Sequence, residues 1–164
     1  MFNFDLNVKN CNLFEYNGHE DYLVLIDALQ KCSEYVVIVQ VHGEIDENDK
    51  HILKAKQSME LIEKRSVTEH CGTKTLGEAN EKYVFKRIDG NADFFKYLKG
   101  YNSFFDSDKL PKIKGNRNYQ PFIKQNFGID DICFLDENKK VLFFTVTHEH
   151  MSFIDNDFLN RVFH

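Results

Sequence analysis

The chain alternates between two hydrophobic rhythms, and these define most of its elements. Over residues 2–8, Phe2, Phe4, Leu6 and Val8 alternate with Asn3, Asp5 and Asn7, the period of two that predicts a strand with one buried face. From about His19 to Ser33 the period lengthens: Tyr22, Leu25, Ile26 and Leu29 fall on one face of a predicted helix, entered through Asn17-Gly18 and carrying Glu20 and Asp21 in its first turn. The run from Tyr35 to Val41 is almost wholly apolar and β-branched, which predicts a central strand covered on both faces. A second helix is expected from about Asp46 to Lys64, with Ile52, Ala55, Met59 and Ile62 as its stripe and Asp46 as its cap.

Residues 66–80 contain Gly72 and Gly77 among polar groups and read as an irregular connection. Tyr83, Val84 and Phe85 predict a strand over residues 82–88, ended by Asp89-Gly90, and a short helix over residues 92–98 turns Phe94, Phe95 and Leu98 inward. Residues 106–121 hold both prolines and no clear period, so a loop is expected there. Near the C-terminus, Ile132-Cys133-Phe134-Leu135 and Val141 to Val146 flank the polar stretch Asp136 to Lys140, a β-hairpin pattern. A last helix over residues 155–163 packs Phe158, Leu159 and Val162. Together these elements predict an α+β fold: one domain spanning residues 1–164, with a mixed, mainly antiparallel sheet, a C-terminal β-hairpin and three to four packed helices.

Composition sharpens this picture. Sixteen Phe and seven Tyr with no Trp imply a core built of rings. The longest apolar run is far shorter than the roughly 20 residues a membrane helix needs, and the first residues lack a signal-peptide pattern, so a cytoplasmic location without membrane association is expected. The four cysteines are scattered, with no C-x-x-C pair, and are expected to act as small hydrophobes in a reducing compartment, with no cofactor. The net charge of −5 is localised. Residues 1–65 carry twelve acids and seven bases, while the remainder carries fourteen of each. That balance argues against nonspecific nucleic-acid binding over the whole surface.

Several residue groups are candidates for chemistry. Thr147-His148-Glu149-His150 follows the last strong strand, and two His one residue apart share a face of a strand, as in several metal sites; His148 and His150 are therefore the alternative metal or catalytic pair. His70-Cys71 is a Cys–His neighbour pair, and Gly72 to Gly77 mixes Gly, Lys and Thr without the order of a phosphate loop. Lys112, Lys114, Arg117 and Tyr119 belong to a stretch, residues 109–124, with five bases and no acid, an alternative single-stranded nucleic-acid surface. Glu44, Asp46, Glu47 and Asp49 cluster where the central strand gives way to the second helix, and they are the candidate surface for a basic protein partner. No serine lies in a G-x-S-x-G elbow.

The stretch Gly128-Ile129-Asp130-Asp131-Ile132-Cys133-Phe134-Leu135-Asp136, continued by Phe144-Thr145-Val146-Thr147-His148-Glu149, resembles the small immunity proteins of bacterial polymorphic toxin and contact-dependent inhibition systems. The resemblance covers about the last quarter of the chain and transfers no residue set. It implies a non-enzymatic cytoplasmic protein that binds a cognate toxin domain, often a nuclease, and blocks it. A nuclease domain is usually basic, so an acidic inhibitor gains encounter rate and specificity.

Overall fold

A computed structural model describes residues 8–16, 18–40, 49–71, 73–74, 80–105, 124–126 and 130–163. In chain order the elements are β1 (Cys11–Leu13), α1 (Gly18–Cys32), β2 (Tyr35–Gln40), α2 (Lys50–Ser58), β3 (Met59–Val67), β4 (Glu69–His70), β5 (Thr73–Lys74), β6 (Asn80–Arg87), α3 (Asp93–Lys99), β7 (Tyr101–Ser103), β8 (Lys124–Asn126), β9 (Asp131–Leu135), β10 (Val141–Val146), a 3-10 turn at Thr147–Glu149, β11 (Met151–Asp155) and α4 (Asn156–Phe163). The main sheet has seven strands in the order β1-β11-β10-β9-β2-β6-β3, and every neighbour is antiparallel. The parallel component is the short β7·β8 pair. This is an α+β fold with a mainly antiparallel sheet and four helices, as the sequence patterns predict. None of the helices among the described residues is long and apolar enough to cross a membrane.

β2 shows why its sequence is continuously apolar. It lies between β9 and β6, and its alternate residues serve two different cores. Val36 and Ile38 join the larger cluster with the inward faces of all four helices, including Tyr22, Leu25, Ile26 and Leu29 of α1, whereas Val37 and Val39 join a smaller cluster on the opposite face. The larger core is packed with rings: Phe134 lies 5.9 Å from Phe95, 6.4 Å from Phe104 and 6.3 Å from Phe143 between centroids, within the range of favourable aromatic pairs. In β10 the register against β9 shifts between Val141 and Phe143. This bulge lets the consecutive residues Leu142 and Phe143 both enter the larger cluster, while Val141 and Phe144 fill the smaller one.

Two sequence expectations are corrected, and one strand is added where none was assigned. The second helix ends at Ser58, and Met59 takes an extended φ of −137°. The stripe that ran on to Ile62 instead belongs to β3, which pairs along its length with β6. No Gly or Pro marks the junction, and the strongly β-forming β6 outweighs the helical propensity of the 59–64 segment. The connection over residues 66–80 is also less irregular than expected: Val67 completes β3, and Glu69 and His70 pair with Lys74 and Thr73. Finally, the chain after β10 turns back through another strand, β11, which hydrogen-bonds to both β10 and β1. The alternation expected at residues 2–7 and the loop expected at residues 106–121 lie outside the described residues.

Candidate functional site

Of the acidic group, Asp49 is described, while Glu44, Asp46 and Glu47 lie outside the described residues. Asp49 is the N-cap of α2: its Oδ1 accepts from the backbone N–H of His51 at 2.8 Å and of Ile52 at 3.2 Å. The cap expected at Asp46 is therefore made by Asp49. The second carboxyl in this corner is Asp130, which immediately precedes β9 and is buried. Burial raises the Asp130 pKa to about 9, and a hydrogen bond to Asp49 and the charges of Asp49 and Asp131 add to it, against Lys50. Burial also opposes ionisation of Asp49, but the bond from Asp130 and those from the α2 N–H groups outweigh it and hold its pKa below the ordinary value. One carboxyl is thus kept protonated to donate to the other.

A polar chain continues away from this pair. His51 Nδ1 lies 2.7 Å from the Tyr97 hydroxyl, which lies 2.8 Å from that of Tyr101. Burial raises the pKa of both tyrosines, so their hydroxyls stay protonated at neutral pH. Lys50 Nζ stands 5.9 Å from the Tyr101 ring centre. Asp49 is thus committed to capping rather than being a freely exposed charge.

The strand geometry expected for His148 and His150 is absent. Thr147–Glu149 form a 3-10 turn, and His150 follows in the left-handed conformation at φ 54°. The alternation that would put both imidazoles on one face therefore does not operate. The His150 ring is exposed and stacks 6.2 Å from Phe105. Among the described residues, no group of three or more His, Cys, Asp or Glu is arranged to hold a metal ion. The turn is anchored by Thr147, whose N–H donates to Asp131 Oδ1 at 2.7 Å and whose hydroxyl donates to the Asp130 carbonyl at 2.9 Å. Lys112, Lys114, Arg117 and Tyr119 lie outside the described residues.

The His70-Cys71 pair is brought together with a third group that the sequence did not indicate. Both residues are buried and belong with Cys133 to the lining of one pocket on the face of the sheet opposite the helices. Burial raises the Cys71 pKa well above the ordinary thiol value, with Cys133 adding to the shift and His70 opposing it, so the sulfur is a thiol at neutral pH and a poor nucleophile. Burial works against protonation of His70, but Cys71, Asp131 and the Thr145 carbonyl outweigh it and raise its pKa. The arrangement suits binding better than thiolate attack.

Asp130, Tyr97, Arg65 and Lys82 are the site residues that sequence reasoning missed. Asp130 meets Asp49, Tyr97 meets His51 and Arg65 lies opposite Lys82 on the pocket wall only through tertiary packing and pairing register. The one available signal was the doubled acid Asp130-Asp131 directly before an apolar strand, an expensive place for two carboxylates. Comparison with protein-family models, with curated proteins and with solved structures finds no match.

Proposed function

We propose that this chain is a recognition protein of the immunity type, which binds a cognate, basic, nuclease-type toxin domain in a bacterial cytoplasm and holds it inactive without catalysing a reaction of its own. The observation that best supports this reading is β3. It is the terminal strand of the sheet, nine residues long, and among the described residues it ladders with β6 alone. Leu61 and Ile62 on it are exposed at 38% and 39%, and Leu53 on the preceding helix and Ile88 just after β6 are exposed as well. A terminal strand with no second neighbour among the described residues, bordered by apolar side chains, is a template for an added strand from a partner, with main-chain bonds for affinity and side chains for selection.

β3 is also guarded against indiscriminate pairing. Its register shifts between Leu61 and Glu63, leaving Ile62 as a bulge, and it carries Glu60, Glu63, Lys64 and Arg65. Bulges and charges on an edge suppress self-association, so a partner must match them, which makes the edge selective. The chain's net charge of −5 favours encounter with a basic partner. The resemblance of the C-terminal stretch to immunity proteins points the same way.

The test is co-expression with the product of the neighbouring gene. The proposal expects a complex that survives purification, weakens with salt, and protects cells from that product. A neighbouring product that is harmless, or that kills equally with and without this chain, contradicts it.

A further inference from the structure

The pocket behind β3 has a volume of about 370 Å³, within the range of small-molecule sites. Val37 of β2, Cys133 of β9, Lys82 of β6, Arg65 and Val67 of β3, and His70 contribute to its wall. The β3·β6 register sets Arg65 directly opposite Lys82. Directly opposed residues in an antiparallel pair have Cβ atoms about 4.5–5.5 Å apart, and like charges there are destabilising. Lys82 is 5% exposed, so one of these two cations is largely removed from water. Burial lowers its pKa and Arg65 lowers it further, against Glu63.

A third polar group faces the same problem. His70 is 4% exposed and its Nε2 has no hydrogen-bond partner, a cost unless a ligand or a shift of the ring supplies one. Two acids answer part of the positive charge: Glu63 pairs with Arg65 at 3.6 Å, and Glu69 also lines the pocket. Arg65, Lys82 and His70 share the same wall. The rest of the wall combines the hydroxyl residues Ser66 and Thr68 with the apolar or soft Val37, Val67, Cys71 and Cys133.

From this juxtaposition of opposed cations, an unpartnered imidazole nitrogen and an apolar wall, we infer that the pocket binds a small organic oxyanion, its carboxylate or phosphate head meeting Arg65 and Lys82 and its short apolar body lying on Val37 and Val67. This site shares Arg65 and Val67 with β3 but uses side chains on the sheet face rather than the strand's main-chain edge, so either proposal can stand without the other.

The experiment titrates the full chain with butyrate, butyl phosphate and butan-1-ol at constant ionic strength, followed by amide NMR. Expected are saturable shifts at residues 65–71 and 82 with one or both anions and none with the alcohol; the tighter anion identifies the head group. Arg65→Gln and Lys82→Met should each weaken binding by about tenfold, the loss of one charge-assisted contact. Arg65 has a side chain 42% exposed, so its replacement leaves the fold intact and decides the matter even if Lys82→Met does not fold. No saturable shift with either anion, equal binding of the alcohol, or undiminished binding by Arg65→Gln overturns the inference.

Discussion

Replacing Asp130 with Asn isolates the energetic consequence of the paired carboxyls. In the folded chain Asp130 holds its proton well above the ordinary carboxylate range, whereas in the unfolded chain it ionises near pH ~3.9. Between these values the folded state binds more protons than the unfolded one, so this group's contribution to stability is fully present below the unfolded pKa and is lost progressively as pH rises toward the folded value. Each unit of difference is worth about 1.4 kcal/mol, so the three units between the unfolded value and neutrality set a ceiling of about 4 kcal/mol. Proton sharing with Asp49, whose own pKa is lowered, offsets part of this, and about 2 kcal/mol is expected. Asn keeps the shape and supplies an N–H donor to Asp49 without a proton to lose. Urea unfolding followed by far-UV circular dichroism, at pH values from about 4.5 to 7.5, should show the parent losing about 2 kcal/mol relative to Asp130→Asn. Parallel pH profiles of the two proteins would refute the buried, proton-sharing assignment.

Other substitutions test the packing and the caps. Phe134→Ala removes a fully buried ring that contacts Phe95, Phe104 and Phe143 and should cost about 3–5 kcal/mol in urea unfolding, whereas Leu13→Ala, at a position 55% exposed, should change stability by less than about 0.5 kcal/mol. Asp155→Ala deletes a buried carboxylate that accepts from the Phe158 N–H and from Asn10 and pairs with Lys140; a loss of about 2–3 kcal/mol is expected in thermal unfolding, and a loss below 0.5 kcal/mol, the level of an ordinary surface change, would show that α4 does not need this cap. Ellman's reagent should react first with the half-exposed Cys32, more slowly with Cys11, whose pKa burial and the Asp155 charge push up to about 12, and spare the buried Cys71 and Cys133 until the chain unfolds; rapid reaction of Cys71 in the native protein would contradict its assignment as an inert thiol.

The elements most legible in the sequence are those whose pattern is set locally and agrees with their packing. The Tyr22, Leu25, Ile26 and Leu29 stripe of α1 and the two-faced apolar run of β2 needed no knowledge of their partners. Residues 59–64 were misread because Met59 and Ile62 fit a helical stripe as well as a strand; hydrogen bonds to β6, invisible locally, decided between the two. The candidate sites were less legible still. Asp49 meets Asp130 and Arg65 meets Lys82 only through tertiary packing and strand register, and no motif spacing encodes either encounter. The His148 and His150 pair erred in the opposite direction, assuming strand geometry where Thr147 bonds to Asp130 and Asp131 and forces a turn.

The central claim is recognition at the outer edge of β3, the terminal strand of the sheet among the described residues, and backbone hydrogen exchange compared with and without the neighbouring gene's product tests it most directly. The account predicts new protection on residues 60–67 in the complex, lost together with binding in an Ile62→Lys variant that remains folded. A tight complex in which those amides exchange as fast as in the free chain would contradict it.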